Sequence, residues 1–81
     1  MTFTLYNAAQ STCSQRVRFV LNAKKIRFAE VKLDLQAGDQ LKPEYLKLNP
    51  NGVVPTIDHD GAVVIDSSVI IEYLGEIVPN P

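Results

Sequence analysis

The apolar residues change their period several times within 81 residues, and this succession restricts the fold more than any other feature of the chain. "TFTLYN" is rich in β-branched and aromatic residues and reads as a strand. From Ser14 onward, Val17, Val20, Leu21 and Lys24 fall at helical spacing, with Arg16 and Arg18 on other faces. "IRFAEVKL" returns to an extended pattern through Ile26, Phe28, Val31 and Leu33. "LKPEYLKLNP" permits a short helix or an irregular turn opening with Pro43, because proline is tolerated in a first helical turn. "NPNG" is turn chemistry, "VVPTI" is extended, and "DHDG" divides "PTID" from "AVVID", so these two runs form a hairpin. "SSVIIEYLGEI" reads as a closing helix capped by Asp66 or Ser67, with Gly75 weakening its last part. The expected order is strand, helix, strand, short helix, strand, strand, helix: a βαβ unit with a right-handed crossover, then an antiparallel hairpin. The two prolines of "VPNP" cannot continue a helix and read as the start of a linker.

This length suits one small domain. An apolar fraction of 46% and a charged fraction of 21% are those of a folded globular chain. A net charge of -1 provides no overall drive toward nucleic acid or an anionic membrane. No apolar run approaches the ~18–20 residues of a membrane-spanning helix, and the opening lacks the basic and long apolar regions of a secretory signal. One cysteine cannot form an internal disulfide, which suits a reducing cytosol. The expectation is a single cytoplasmic domain.

Three places can carry chemistry. The first is the loop from Asn7 to Ser14, since ligands in open α/β sheets bind beyond the carboxyl ends of strands. A helix start there offers free N–H groups to an anion, and Ser11, Thr12 and Ser14 add hydroxyls. The same serines also serve simply as caps, and both roles stand on local chemistry. His59 falls in the distant "DHDG" turn, where it reads as a surface residue, so no base is at hand for a Ser-His hydrolase. Cys13 competes as a reactive thiolate at a helix start or as a small hydrophobe. A two-thiol redox cycle is excluded, and one Cys with one His supplies too few ligands for zinc, so no metal is expected. The second place is Val54-Pro55. A cis bond there would turn the Val54 backbone outward toward an extended ligand, whereas a trans proline opening an edge strand is the commoner case. The third is Asp66-Ser67, which caps the last helix or holds a ligand carboxylate and ammonium.

Taken together, "LYNAAQSTCSQRVRFVLNAKKI", "KPEYLKLNPNGVVPTID" and "DSSVIIEYLGEIVPNP" resemble the N-terminal domain of cytosolic glutathione transferases over nearly the whole chain. "STCSQRVR" is similar to the "SSCSxRVR" of the zeta class, which is maleylacetoacetate isomerase-like, while "KPE" and "NGVVP" are closer to omega-class chains. The resemblance implies a thioredoxin-like βαβαββα fold with a four-stranded mixed sheet. It implies a glutathione-binding domain over residues 1–76 and, over 77–81, the start of a linker to a helical C-terminal domain that carries most of the electrophile site and part of a homodimer interface. It further implies a glutathione transferase or glutathione-dependent isomerase in the full-length protein, with glutathione as cosubstrate. Ser11 would donate a hydrogen bond to the glutathione thiolate, and Ser14 would keep the capping role. Val54, before a cis-Pro55, would pair with the cysteinyl backbone. Asp66 and Ser67 would hold the γ-glutamyl ammonium and carboxylate, and Lys42 the glycyl carboxylate. The alternative is a non-catalytic interaction module resembling stringent starvation protein A, which shares a "QVR…LNPN…VP…YL" frame and binds RNA polymerase.

Overall fold

In the computed structural model, which describes residues 2–79, the expected element order is realised. Strand β1 (Phe3–Asn7) leads into helix α1 (Thr12–Ala23) and strand β2 (Ala29–Lys32). A 3₁₀ turn (Asp39–Leu41) and a short helix α2 (Pro43–Leu46) follow, then strands β3 (Thr56–His59) and β4 (Ala62–Ile65) and helix α3 (Ser67–Ile77). The strands form one four-stranded sheet in the order β2-β1-β3-β4, with β1 parallel to β2 and antiparallel to β3, and β3 antiparallel to β4. This is the mixed sheet of a thioredoxin-like fold.

Strand alternation divides the sheet into two faces. On one, Phe3, Leu5 and Ile57 meet Val17 and Leu21 of α1 and Ile70 and Leu74 of α3, forming the apolar core. On the other, Tyr6 and its cross-strand partner Thr56 face α2, whose Tyr45 ring lies 6.0 Å from that of Tyr6. Pro43 occupies the first turn of α2, where its missing N–H costs nothing. Asp60 and Gly61, at φ 53° and 95°, make the two-residue connection between β3 and β4; positive φ at both positions is the hairpin geometry that glycine makes inexpensive.

Three details depart from the sequence reading, and a fourth decides between alternatives it left open. Helix α1 begins at Thr12 rather than Ser14, and its cap is Ser11, whose Oγ accepts from the Ser14 N–H at 3.1 Å. Ser14 is instead fully buried, because it lies one turn inside the helix on the face toward the sheet. The extended pattern of "IRFAEVKL" condenses into β2 alone, all of it exposed, while Ile26 and Phe28 pack on the core from the connection before it. Of the two readings of Val54-Pro55, the trans proline opening an edge strand fails: Pro55 stands immediately before β3, an inner strand, and the bond is cis, as the resemblance implies. His59 is not a surface turn residue. It ends β3 with its side chain 14% exposed, stacked on Phe3 at 4.3 Å and bonded through Nδ1 to the Tyr73 hydroxyl at 2.7 Å. Helix α3 runs through Ile77, with Val78 as its C-cap; of the expected linker, Asn80 and Pro81 lie outside the described residues.

Candidate functional site

Strand register brings the predicted residues from distant parts of the chain to one end of the sheet. Tyr6 pairs with Thr56, and Thr56 pairs with Ile65. The loop after β1 that ends in Ser11, the Val54-Pro55 step before β3, and Asp66-Ser67 after β4 therefore leave the same end of three adjacent strands. Strand β2 is parallel to β1, with Asn7 opposite Lys32, so the connection from Leu33 toward Lys42 departs from this end too.

Ser11 has two capabilities that do not compete. Its Oγ lone pair accepts from the Ser14 N–H, and no acceptor among the described residues takes its own proton. It stands at the N-terminus of a twelve-residue helix, where an added anion is favoured. Cys13 is exposed in the first turn of that helix and forms no disulfide.

The Val54 step is held by a buried polar network that sequence reasoning missed. The Tyr45 hydroxyl donates to the Val53 carbonyl at 2.5 Å and meets Thr56 Oγ1 at 2.7 Å. Asn49 Nδ2 donates to the Val53 carbonyl at 3.0 Å and to Thr56 Oγ1 at 3.1 Å. With the Tyr45 proton on Val53, Thr56 donates its own proton to Tyr45, and each hydroxyl both gives and receives. Burial holds the Tyr45 phenol above its ordinary pKa, against the opposing pull of its bonds to Thr56 and Asn49. The network secures Val53 and Thr56 on either side of Val54 and Pro55, while the Val54 N–H and C=O find no partner among the described residues. Gly52 closes the approach at φ 65°; a Cβ there would meet Leu41 Cδ2 at 3.1 Å.

Asp66 caps α3, its Oδ1 accepting from the Ser68 N–H at 2.9 Å. Its backbone lies at φ 74°, ψ 121°, a conformation that L side chains seldom adopt and that collects at ligand sites. Ser67 is buried in the first turn behind it.

Lys42 lies between the 3₁₀ turn and α2. It borders a groove of about 370 Å³ lined by Tyr6, Val31, Leu33, Tyr45 and Leu48, on the α2 side of the sheet. Its Nζ pairs with Asp39 Oδ1 at 2.9 Å, and its side chain is 62% exposed. Asp39 Oδ2 also accepts from the Asp34 N–H at 2.8 Å. That bond first, and Lys42 second, hold the Asp39 carboxyl below its ordinary pKa, while Asp39 raises that of Lys42.

The loop before Ser11 has its own support, also missed from sequence. Ala8 N–H donates to Ser14 Oγ at 3.4 Å, and Ser11 N–H to the Ala8 carbonyl at 3.1 Å. Arg18 donates to Asn7 Oδ1 and, at 3.4 Å, to the Ala8 carbonyl. Asn7, fully buried, donates in turn to the Val31 carbonyl at 3.4 Å. Spacing carried part of this signal, because Ser11, Ser14 and Arg18 recur at three and four residues along one helix face. Among the described residues there is no group of acidic, His and Cys side chains able to hold a metal ion, and no helix is long and apolar enough to cross a membrane.

Residues 10–77 match the model of the glutathione S-transferase N-terminal domain family. A glutathione S-transferase of Dianthus caryophyllus is 46% identical over 78 residues, covering 95% of this chain and 35% of that protein. A maleylacetoacetate isomerase of Aspergillus fumigatus is 41% identical over 81 residues, covering 94% of this chain and 35% of its own length. The chain thus spans about a third of the curated relatives it matches. Among solved structures, a glutathione transferase of Phanerochaete chrysosporium in complex with oxidized glutathione superposes with a TM-score of 0.92 at 33% identity, covering 96% of this chain and 37% of that one. By the family match, and by a fold it shares with solved transferases, the chain belongs to the glutathione S-transferase N-terminal domain family.

Proposed function

We propose that this chain binds glutathione at the end of the sheet where Ser11, Val54-Pro55 and Asp66-Ser67 emerge, and that it serves a glutathione transferase or glutathione-dependent isomerase. The observation that carries the reading is the convergence of three chemically different elements on adjacent strand ends. A tripeptide thiol with charged ends needs a hydrogen-bond donor for its thiolate, a free backbone edge for its middle and charge-matched groups for its termini. The Ser11 proton supplies the first, and stabilising the thiolate lowers the thiol pKa without making Ser11 a nucleophile. The open N–H and C=O of Val54 supply the second. The third falls to Asp66 for the γ-glutamyl ammonium and to Ser67, with the N–H groups of α3, for its carboxylate. Lys42 is assigned the glycyl carboxylate; its ammonium has three donors, and Asp39 occupies one.

In the reaction itself, the thiolate attacks an electrophile or adds to and leaves an isomerising substrate. Relatives named as transferases and as maleylacetoacetate isomerases support both outcomes. The glutathione-binding unit is assigned to residues 1–76, with 77–81 leading toward a helical domain that completes the electrophile site. A groove between α1 and α3, bordered by Phe19, Val20 and Ile71, offers that domain an apolar seat. A homodimer and a cytoplasmic location complete the proposal. Titration calorimetry with reduced glutathione tests it. Saturable binding that weakens at least about tenfold in Asp66→Ala is expected, from loss of a charge-assisted bond. No heat of binding at millimolar ligand would remove the reading.

A further inference from the structure

We propose that Arg18 is a positioning residue for Ser11: it braces the loop that sets the serine hydroxyl at the start of α1. The side chain lies one turn beyond Ser14 and a second turn beyond Ser11 on the same helix face. From there its guanidinium reaches three acceptors in succession along the chain, Asn7 Oδ1, the Ala8 carbonyl and, at 3.5 Å, the Ala9 carbonyl. A planar fork with five donors suits this task, whereas an ammonium reaches such a row of acceptors one direction at a time.

The brace closes on Ala8 from both sides. Ser14 Oγ accepts the Ala8 N–H, while Arg18 and the Ser11 N–H both donate to the Ala8 carbonyl. Ala8 and Ser14 are buried, so this peptide has little water to replace a lost partner. Asn7 extends the connection into the sheet by donating to the Val31 carbonyl. The path therefore runs from β2 through Asn7 and Arg18 to Ala8, and from Ala8 to the Ser11 N–H, with a charged donor at its centre. Without Arg18, Asn7 loses its charged donor and the two carbonyls lose theirs. The turn through residues 8–10 then retains only the bonds of Ser11 and Ser14 to Ala8. Ser11 would still reach the Ser14 N–H on occasion but would no longer hold a single direction for its own proton. Its effect on a bound thiolate, which rests on the glutathione reading, would weaken accordingly.

Two measurements separate the brace from that reading. The first needs no ligand: amide hydrogen exchange of the whole chain, resolved by residue by NMR. Arg18→Met is expected to speed exchange at the Ser11 and Ser14 amides by about tenfold or more, with the Leu21 and Ile57 amides changed only by any shift in overall stability. Should Arg18→Met fail to fold, Arg18→Lys keeps the charge but not the fork and is expected to speed the same two amides by about threefold. Unchanged Ser11 and Ser14 exchange in whichever variant folds overturns the proposal. The second is the pKa of the bound glutathione thiol, read from thiolate absorbance against pH. It is expected to rise by about half a unit to one unit in Arg18→Met, with partial return in Arg18→Lys. An unmoved thiol pKa alongside faster exchange would overturn the link to Ser11's proton. A wild-type chain that leaves the thiol at its solution value removes the glutathione reading alone, and the brace is then judged by exchange.

Discussion

Ser11 shows how one side chain serves folding and chemistry through different atoms. Its oxygen lone pair caps α1 and its proton stays uncommitted among the described residues, so the two roles are separable by substitution. Ser11→Ala is expected to cost about 1 kcal/mol of stability in urea denaturation and to return the bound thiol toward its solution pKa. Ser11→Asp is expected to keep the stability, since aspartate caps as well as serine, yet to raise the thiol pKa, since a carboxylate repels a thiolate. Asp39 gives a separate expectation in acid. Its pKa is held down in the folded state, so its bonds contribute stability above the ordinary value of 3.8, and the contribution disappears as pH falls through the lowered value. Thermal melts of Asp39→Asn and wild type should therefore differ by a constant amount near neutrality and converge in strong acid. Sequence suggested Ser11 as a ligand group but gave capping to Ser14, because the hydroxyls of "STCS" are equivalent until the helix start is known. The exposure of Cys13 was equally invisible, since a thiol in a first turn faces core or solvent according to what packs beside it.

Among the elements, the segment between α2 and β3 is held by a cluster of side-chain polar contacts. Four side-chain bonds from Tyr45 and Asn49 converge on Val53 and Thr56, and together they fix the backbone on both sides of Val54-Pro55. Tyr45→Phe removes the hydroxyl that bonds Val53 and Thr56 and should cost about 1–2 kcal/mol, measured by chemical denaturation. Faster amide exchange should be confined mainly to the segment from Gly52 to Thr56. The short helix was legible in "LKPEYLKLNP", but the purpose of Tyr45 and Asn49 was not, since nothing in the sequence says that both will meet a threonine at the start of a strand. The hairpin was easier to read: Asp60-Gly61 flanked by apolar runs is a strictly local signal, and the turn formed where that signal lies.

At the level of the whole molecule, the apolar face is divided between a sealed core and an open margin. Leu5, Val17, Leu21, Ile57, Ile70 and Leu74 are fully buried, whereas Phe19 is 74% exposed on the outer side of α1. Leu5→Ala should cost about 2–5 kcal/mol, a large part of the roughly 4–12 kcal/mol available to a chain of this size. Phe19→Ser should change the stability of this chain by less than about 0.5 kcal/mol, and equal losses for the two variants in denaturation would contradict this division of the surface. Periodicity, turn residues and cap residues act over a few positions, so the order of strands and helices, the hairpin and the apolar spacing of α1 could all be read from the chain. Strand order and register join residues some fifty positions apart. They placed Pro55 before an inner strand rather than an edge, drew Ser11, Val54 and Asp66 to one end of the sheet, and turned His59 onto Phe3. Such outcomes depend on which surfaces meet once the apolar faces are buried, and no local pattern contains that information.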